Sequence, residues 1–184
     1  MNEVLEVIKR RRSIRKYLPD QIKDEELNMI LEAAIFAPSG HNEQPWHFLV
    51  IQDKELIDRM SEKAKEAMTR SDIDWIVKIG QNTRRHIFHN APTVIVVSGC
   101  KGSYSALVDC SAATQNMLLA AESLGIGSCW IGLANFFFQQ EEEAKRLSIP
   151  EGYEPFYAIT LGYKDPSYQS IVPERKRDVF AYIR

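Results

Sequence analysis

One long apolar segment, Ala106–Leu124, constrains this chain more than any other. Apolar residues fall on nearly every side of a helix drawn through it, among them Leu107, Met117 and Leu118. A helix that is hydrophobic all round has to be covered by other parts of a protein. Gly125 follows directly, and glycine is the residue that most often ends a helix. The sequence therefore predicts a central, buried helix with the rest of the chain packed around it.

The composition fits one soluble domain over residues 1–184, with 45% hydrophobic and 26% charged residues. The longest uncharged run, residues 123–140, contains Gly, Asn and Gln, so we expect no membrane-spanning helix and no membrane partner. No basic, apolar leader opens the chain, and no secretory signal is expected. The three cysteines form no Cys-x-x-Cys pair, which favours reduced thiols and a cytoplasmic location.

Periodicity and end signals predict the other helices and strands. Asp24 is expected to cap the second helix, with acids in its first turn, and this helix stops before Pro38. The tail from Ile171 to Arg184 has no core pattern of its own, yet several of its residues are apolar, which suggests pairing with a second subunit. Further helices are predicted over 2–12, 54–70, 72–88 and 139–147, and strands over 46–51, 93–98, 128–131 and 156–163.

Positive charge is concentrated at both ends of the chain. Residues 1–16 carry a net charge of +4 and residues 164–184 a net charge of +2, so the total of -2 leaves -8 between them. Nucleic-acid binders usually present a basic face from the folded body. The acidic body therefore argues against a nucleic-acid partner, and the basic ends have the size to hold a small anion.

The cluster Arg10–Arg15 closes the first predicted helix and allows two interpretations. Cations are favourable at a helix C-terminus because of the helix dipole. Alternatively, guanidinium groups bind phosphate oxygens in pairs, and the Ser13 hydroxyl adds a donor. On the second interpretation, the run 175–177 in the tail supplies the opposite wall of a phosphate site.

The segment Ala37–Trp46 follows the second helix and is rich in amides and hydroxyls. Pro, Gly, Ser and Asn are also the ordinary residues of a plain loop. Ser39, Asn42 and Gln44 nevertheless offer the donors and acceptors that a heteroaromatic ring with carbonyl and imide edges needs.

The run Gly125–Trp130 resembles a dinucleotide-binding fingerprint but lacks its third glycine and follows a helix. The next residues, Ile131 and Gly132, end a predicted strand. With Trp130 they could present backbone groups to a flat ligand, since glycine allows close approach. The alternative is a buried strand that ends in a turn.

Other chemistries are not favoured by the sequence. His86 and His89 have no third partner for a metal ion, so no metal site is predicted. Cys129 beside Trp130 is interpreted as a core thiol rather than a nucleophile.

Taken together, these segments resemble the nitroreductase family of FMN-dependent oxidoreductases over essentially the whole chain. The most specific match is P-S-x-x-N-x-Q-P-W within A-P-S-G-H-N-E-Q-P-W. The others are R-R-S-I-R, N-A-P-T-V-I-V-V, L-G-I-G-S-C-W-I-G, I-T-L-G-Y and the basic tail. The resemblance implies an α+β sandwich with a mostly antiparallel sheet flanked by helices. It also implies a homodimer that exchanges its C-terminal tails and holds two FMN molecules at its interface.

The resemblance also assigns residues to the flavin by position. The ligands of the FMN phosphate and pyrimidine correspond to Arg11, Arg12, Ser13 and Arg15. A loop that meets the flavin from the other subunit corresponds to Ser39, Gly40, Asn42 and Gln44. The segment near the reactive ring nitrogen corresponds to Trp130, Ile131 and Gly132, and the residues that close on the phosphate correspond to Arg175, Lys176 and Arg177. The chain departs from members with broad nitroaromatic activity at Arg84 and Ile87, where those members carry Asn and Lys.

The implied mechanism leaves the redox chemistry to FMN, which is bound non-covalently. NAD(P)H donates a hydride and leaves, and a nitroaromatic, a quinone or a similar small acceptor then takes its place in a ping-pong cycle. No catalytic side chain and no metal are expected. Two other functions stay open: a flavin-binding sensor or partner module without turnover, and a flavin-fragmenting or dehalogenating member of the same fold.

Overall fold

A four-stranded sheet forms the centre of the fold in a computed structural model that describes residues 2–184. Its strands are β1 (Trp46–Ile51), β2 (Thr93–Cys100), β3 (Ile126–Ile131) and β4 (Tyr153–Tyr163). Their order is β1-β2-β4-β3, and every neighbouring pair is antiparallel. All four predicted strands are therefore confirmed, although β3 begins two residues and β4 three residues earlier than predicted.

Both faces of the sheet are covered, which explains the continuous apolar sequence of β2. Successive side chains of a strand point to opposite faces, so Val94 and Val96 enter one apolar cluster and Ile95 and Val97 the other. The helices that pack around these clusters are α1 (Glu3–Arg10), α2 (Asp24–Ile35), α3 (Lys54–Met68), α4 (Asp74–Gln81), α5 (Ala106–Ser123), α6 (Asn135–Phe138) and α7 (Glu141–Ala144). None of these helices is long and apolar enough to cross a membrane.

Three predicted helix boundaries are wrong. Lys23, not Asp24, caps α2, because the Glu26 carboxylate reaches back to accept the Lys23 N–H at 3.0 Å. The helix predicted over 72–88 ends at Gln81, since the residues before β2 leave the helical region; His89 has a φ of 55°. The helix predicted over 139–147 is the short α7 followed by a 3-10 turn over 145–147.

The burial predicted for α5 is only partly correct. The helix has the predicted length within one residue and ends before Gly125, which takes the left-handed φ of 77° that glycine tolerates. However, Leu107 is 54% exposed and Val108 is 70% exposed. Helix α1 packs on α5 and buries none of its own residues, so apolar side chains on both helices face outward.

The tail lacks helix and strand beyond β4. Residues 165–184 form only a turn near their start, and the apolar residues of the last 14 positions are exposed. Nothing in the described chain covers them. This agrees with the prediction that the tail has no core of its own.

Candidate functional site

The segment that follows α1 is fixed along the edge of the sheet. The Ile14 N–H donates to the Ser128 carbonyl at 2.9 Å, and Ser13 and Ser128 form a parallel bridge next to β3. The Ile14 side chain is buried, which anchors the segment to the core. The arginines on either side of Ile14 are thereby held at the surface beside β3.

The two basic ends of the chain meet around one cavity of about 340 Å³. Four guanidinium groups line it, and no carboxylate among residues 2–184 forms an ion pair with any of them. Unpaired guanidinium groups that converge on one space create a strong preference for an anion. The lining residues, which we call the arginine cradle, are Arg11, Arg12, Ser13, Arg15, Tyr168, Ile171, Pro173 and Arg175.

Arg12 fits both interpretations of the basic cluster, favourable placement at a helix end and anion binding. Its Nη1 donates to the carbonyls of Lys9 at 2.6 Å and Arg11 at 2.7 Å, so it caps the end of α1. Its Nε is buried and has no hydrogen-bond partner in the described chain. A buried donor without a partner is costly. An anion in the arginine cradle is the kind of partner that this atom lacks.

The start of the tail is fastened to the arginine cradle. Lys16 Nζ lies 3.1 Å from Asp165 Oδ2, and the Asp165 N–H donates to the Lys16 carbonyl. Hydrogen bonds from the side chain and backbone of Ser167, together with Lys16, lower the pKa of Asp165 to about 2. The Tyr168 hydroxyl donates to the Ser13 carbonyl at 3.4 Å. The tail thus begins beside the cradle.

Two groups, partly buried Tyr17 and buried Cys129, lie close to the cradle without lining it. The Tyr17 hydroxyl donates to the Ile14 carbonyl at 2.6 Å and lies 2.7 Å from the Thr160 hydroxyl. Burial raises the pKa of Tyr17 far above its ordinary value. Cys129 is also buried, which raises the pKa of its thiol. A protonated, inaccessible thiol is a poor nucleophile, as the sequence interpretation expected.

The amide-rich loop over 39–44 is tightly wound. His41, Asn42 and Gln44 have φ values of 51°, 57° and 48°, which is uncommon for residues other than glycine. The Gln44 N–H donates to Ser39 Oγ at 3.1 Å, and Gln44 Nε2 donates to Asn42 Oδ1 at 3.2 Å. Such backbone conformations persist where surrounding contacts hold them.

A carboxylate on α5 holds this loop. Asp109 Oδ2 accepts the Gly40 N–H at 3.2 Å and the Ser105 hydroxyl at 2.8 Å. A Cβ on Gly40 would lie 2.6 Å from Ser105 Oγ. A larger residue at position 40 would therefore have to turn the Ser105 hydroxyl away from its hydrogen bond with Asp109.

The aromatic part of the predicted site lies on β3. Trp130 is the one exposed residue of this strand, and its ring packs against Tyr157 at a tilt of 39°, with centroids 4.2 Å apart. A Cβ on Gly132 would meet nothing within 4 Å in the described chain. Ser13, which lines the arginine cradle, is bridged to Ser128 on β3. Trp130 lies two residues further along this strand. It is not among the cradle's lining residues.

The structure brings only part of the predicted site together. The cradle contains the first arginine cluster and Arg175, but neither Lys176, Arg177, the loop over 39–44 nor Trp130–Gly132. The loop is held by Asp109 near the start of α5. At the other end, Glu122 binds Arg10, the residue before the cradle. Thirteen residues of helix separate these two carboxylates, about 20 Å along the axis.

Comparison with known families and solved structures identifies the kind of protein that has this arrangement. The sequence profile of the nitroreductase family matches residues 8–163. The chain belongs to the nitroreductase family. Its fold agrees, since the structure superimposes on a nitroreductase with bound FMN from Bacteroides fragilis with a TM-score of 0.92, 34% identity and full coverage of both chains.

Two further nitroreductase relatives are similar over most of their length. An FMN-bound nitroreductase from Desulfitobacterium hafniense has 35% identity, a TM-score of 0.88 and full coverage of both chains. A proposed NADH dehydrogenase/NAD(P)H nitroreductase from Archaeoglobus fulgidus is 44% identical over 172 residues, which are 89% of this chain and 86% of the relative. The expected nitroreductase sandwich, an antiparallel sheet flanked by helices, is confirmed.

The structure places Arg84 and Ile87, the two positions at which the resemblance predicted a departure from members with broad nitroaromatic activity. Ile87 is buried and its N–H donates to Ser61, while Arg84 is exposed. Neither lines the arginine cradle. His89 is partly buried nearby; burial, followed by the charges of Arg15 and Arg85, lowers its pKa to about 4. At neutral pH the ring is therefore uncharged.

Proposed function

We propose that this nitroreductase binds one FMN per chain non-covalently and takes a hydride from NAD(P)H for delivery to a small acceptor. The acceptor is a nitroaromatic, a quinone or a similar compound. The observation that carries the proposal is the arginine cradle, where four guanidinium groups and the Ser13 hydroxyl meet without a competing carboxylate. This donor set fits a phosphate monoester, because guanidinium groups donate two parallel hydrogen bonds to phosphate oxygens.

We infer the roles of the residues from the family resemblance together with their places around the cradle. Arg11, Arg12, Ser13 and Arg175 would hold the phosphate, and Arg15 would contact the pyrimidine of the flavin. Flavin, when bound, supplies the two-electron chemistry, while the protein orients it and tunes its electronics. The exposed Trp130 edge of β3 and the backbone of Ile131 and Gly132 form the surface near the reactive ring nitrogen. Lys176 and Arg177 close on the phosphate when the tail is in place.

A homodimer explains why the loop and the cradle lie at opposite ends of α5. In a two-fold dimer the same surface is used by both subunits. If the two α5 helices run antiparallel across the axis, the loop of one subunit lies beside the cradle of the other. Ser39, Gly40, Asn42 and Gln44 then meet the flavin from the partner.

The solvent-exposed apolar residues of the chain support this assembly. Most of them lie on α1 and α2, which both pack on α5, on α5 itself, and in the tail; Ile73, Trp75, Tyr104 and Trp130 lie elsewhere. Apolar exposure on this scale marks a protein–protein contact. We infer that the helices form the dimer interface and that the tails are exchanged across it. The exposed apolar residues of the helices, their ends and the tail are Val4, Leu5, Ile8, Met29, Ile35, Phe36, Leu107, Val108, Ile171, Val172, Val179, Phe180, Tyr182 and Ile183.

Absorbance of the purified protein tests flavin binding. We expect a yellow protein that releases free FMN on denaturation, in a ratio of one FMN per chain. A colourless protein that does not take up added FMN would refute the proposal. The three free thiols fit the reducing conditions of a cytoplasmic location, which stays a prediction.

Anaerobic titration and steady-state kinetics separate an enzyme from a sensor module. NADH or NADPH should bleach the flavin absorbance, and rates with a quinone or a nitroaromatic should give parallel double-reciprocal lines, the pattern of a ping-pong mechanism. High NAD(P)H should compete with the acceptor and inhibit. Flavin that stays oxidised with both nucleotides would favour the sensor. Intersecting lines would require a second substrate site.

Variants of the tail test the exchanged dimer. Replacing Phe180 and Ile183 by Asp should weaken association and FMN retention together, as measured by light scattering and absorbance. Tyr104→Asp is the matched control, because Tyr104 is equally exposed but lies outside the tail and the three helices. A tail variant that stays dimeric with full FMN content would contradict tail exchange.

A further inference from the structure

Buried carboxylates are rare in this chain and occur on one element. Among the described residues only Asp109 and Glu122 are buried acids, each 5% exposed, and both belong to α5. A buried carboxylate is unfavourable unless hydrogen bonds or cations compensate for lost hydration. What each of these two carboxylates binds therefore indicates what it does.

Glu122 joins the end of α1 to the end of β4. Its Oε1 lies 2.8 Å from Arg10 Nε and its Oε2 lies 2.8 Å from Lys164 Nζ, so each oxygen has its own cation. Arg10 also approaches the Glu122 carbonyl at 3.4 Å. Glu122 occupies the last turn of α5, where the helix dipole disfavours an acid. Its position is therefore not explained by the stability of α5 itself.

The two cations that Glu122 binds flank the arginine cradle in sequence. Arg10 immediately precedes Arg11, and Lys164 immediately precedes Asp165, where the tail is fastened to Lys16. Fixing Arg10 and Lys164 to one buried group fixes the spacing between the two walls of the cradle. It also keeps Arg10 paired while the cradle guanidinium groups stay unpaired.

Asp109 acts at the other end of α5. Its Oδ2 accepts both the Gly40 N–H and the Ser105 hydroxyl. Gly40 precedes the residues with left-handed backbone conformations, His41 and Asn42. The single contact from Asp109 therefore anchors a strained loop to a rigid helix.

We propose that Glu122 and Asp109 are positioning residues for two different flavin sites. Glu122 holds the arginine cradle of its own subunit in position. Asp109 holds in position the loop that its subunit contributes to the site of the partner. One helix thus fixes a part of both sites. This inference rests on the proposed FMN-binding homodimer and adds two residues to it that do not contact the flavin.

Removing the Glu122 charge separates positioning from simple electrostatics. Glu122→Gln leaves two uncompensated cations beside the cradle, so a purely electrostatic role predicts tighter FMN binding. A positioning role predicts the opposite, a loss of about tenfold to a hundredfold in affinity, the size expected when a charge-assisted contact is lost. The measurement is a fluorescence titration of the flavin-free, full-length protein with FMN, with its melting temperature recorded.

The matched control is Glu143→Gln. Glu143 also binds two cations, Arg59 and Arg146, but it lies on α7. Its loss should leave FMN affinity unchanged. If Glu122→Gln binds FMN as tightly as the natural protein or more tightly, the positioning role of Glu122 is refuted.

Asp109 is tested with a rescue pair. Asp109→Ala removes the acceptor of the Gly40 N–H and should weaken FMN binding about tenfold or more. Asp109→Asn keeps an oxygen acceptor of the same shape and should restore most of the affinity. Equal loss in both variants would contradict the proposed contact.

A mixed dimer decides whether the two residues serve different sites. Co-expression of differently tagged chains gives a dimer with Asp109→Ala in one subunit and Glu122→Gln in the other. One of its sites then combines an intact cradle with an intact loop, and the other combines both defects. We expect one FMN per mixed dimer at natural affinity, at a concentration where both variant homodimers stay largely empty.

Two intermediate-affinity sites in the mixed dimer would overturn the inference, because they would show that each residue acts on both sites or on overall stability. The natural protein distinguishes this failure from a failure of the proposed function. If it forms no dimer or binds no FMN, the proposed function is wrong. If it binds two FMN per dimer and the mixed dimer does not regain one normal site, only the positioning inference is wrong.

Discussion

Replacing Arg12 by alanine tests the arginine cradle most directly, because two parts of its guanidinium group have separable roles. Its Nη1 donates to the Lys9 and Arg11 carbonyls at the end of α1, and its buried Nε has no partner in the described chain. Arg12→Ala removes both. The first loss concerns the stability of the protein, and the second concerns the binding of an anion.

The two losses have different sizes. The carbonyl contacts lie at a partly exposed helix end, so their removal should lower the free energy of unfolding by about 1 kcal/mol. For a chain of this length, that corresponds to a fall of about 2–4 °C in melting temperature. Losing a charge-assisted phosphate contact should weaken FMN binding by about 1.5–3 kcal/mol, which is about tenfold to a hundredfold.

Comparing two ligands at fixed salt separates these effects. The flavin-free protein is titrated with FMN and with riboflavin, which lacks the phosphate. Arg12→Ala should weaken FMN binding and leave riboflavin binding nearly unchanged. Arg70→Ala is the control, since Arg70 is exposed and does not line the cradle. Unchanged FMN affinity, or an equal loss for both ligands, would refute the assignment of Arg12 to the phosphate.

Three further variants test the packing around the site. His89 has a folded-state pKa of about 4, below its ordinary 6.5, because of burial, so the unfolded chain binds more protons between these values. The free energy of unfolding should therefore fall as the pH drops from 6.5 to 4, and less so in His89→Asn; identical pH profiles in urea denaturation would contradict this. Gly162→Ala would place a Cβ 2.8 Å from the Pro92 ring and should destabilise the fold by about 1–3 kcal/mol, whereas unchanged urea denaturation would mean that the strand shifts freely. Trp130→Ala should lower the free energy of unfolding by at least roughly 0.5–1.5 kcal/mol, the contribution of its ring pair with Tyr157, and an unchanged free energy of unfolding would show that this ring contact contributes nothing.

The sequence predicts the sheet well because strand signals are local. The apolar run at the start of β2 indicates burial on both faces, and the structure places its neighbouring residues in both apolar clusters. The end of α4 was not predictable in this way. Asn82, directly after the helix, accepts the Arg84 N–H through its Oδ1 at 3.0 Å, a side-chain contact that competes with continuation of the helix and that residue periodicity does not show.

The part of the site whose chemistry depends on residue type alone could be predicted from the sequence. Arginines at positions 11–15 and at 175 indicate an anion, and they do meet in one cavity although about 160 residues separate them. Asp109 and Glu122 were missed, because an acid within an apolar helix does not reveal its partners. The signal was present, since the two acids are the charged residues of an otherwise uncharged segment, but only the fold shows that Gly40 and Arg10 are what they bind.

Helix α1 buries none of its residues, and this has a consequence for how the protein behaves on dilution. Elements with few buried contacts open locally at low free-energy cost, and their amide hydrogens exchange quickly with solvent. In a dissociated subunit the cradle that follows α1 would therefore fluctuate, and the cofactor would escape more readily. If the protein forms the proposed dimer, mass action sets the dimer fraction, so flavin retention and slow hydrogen exchange in α1 should decline together as the protein is diluted, even though no bond within the cradle is altered.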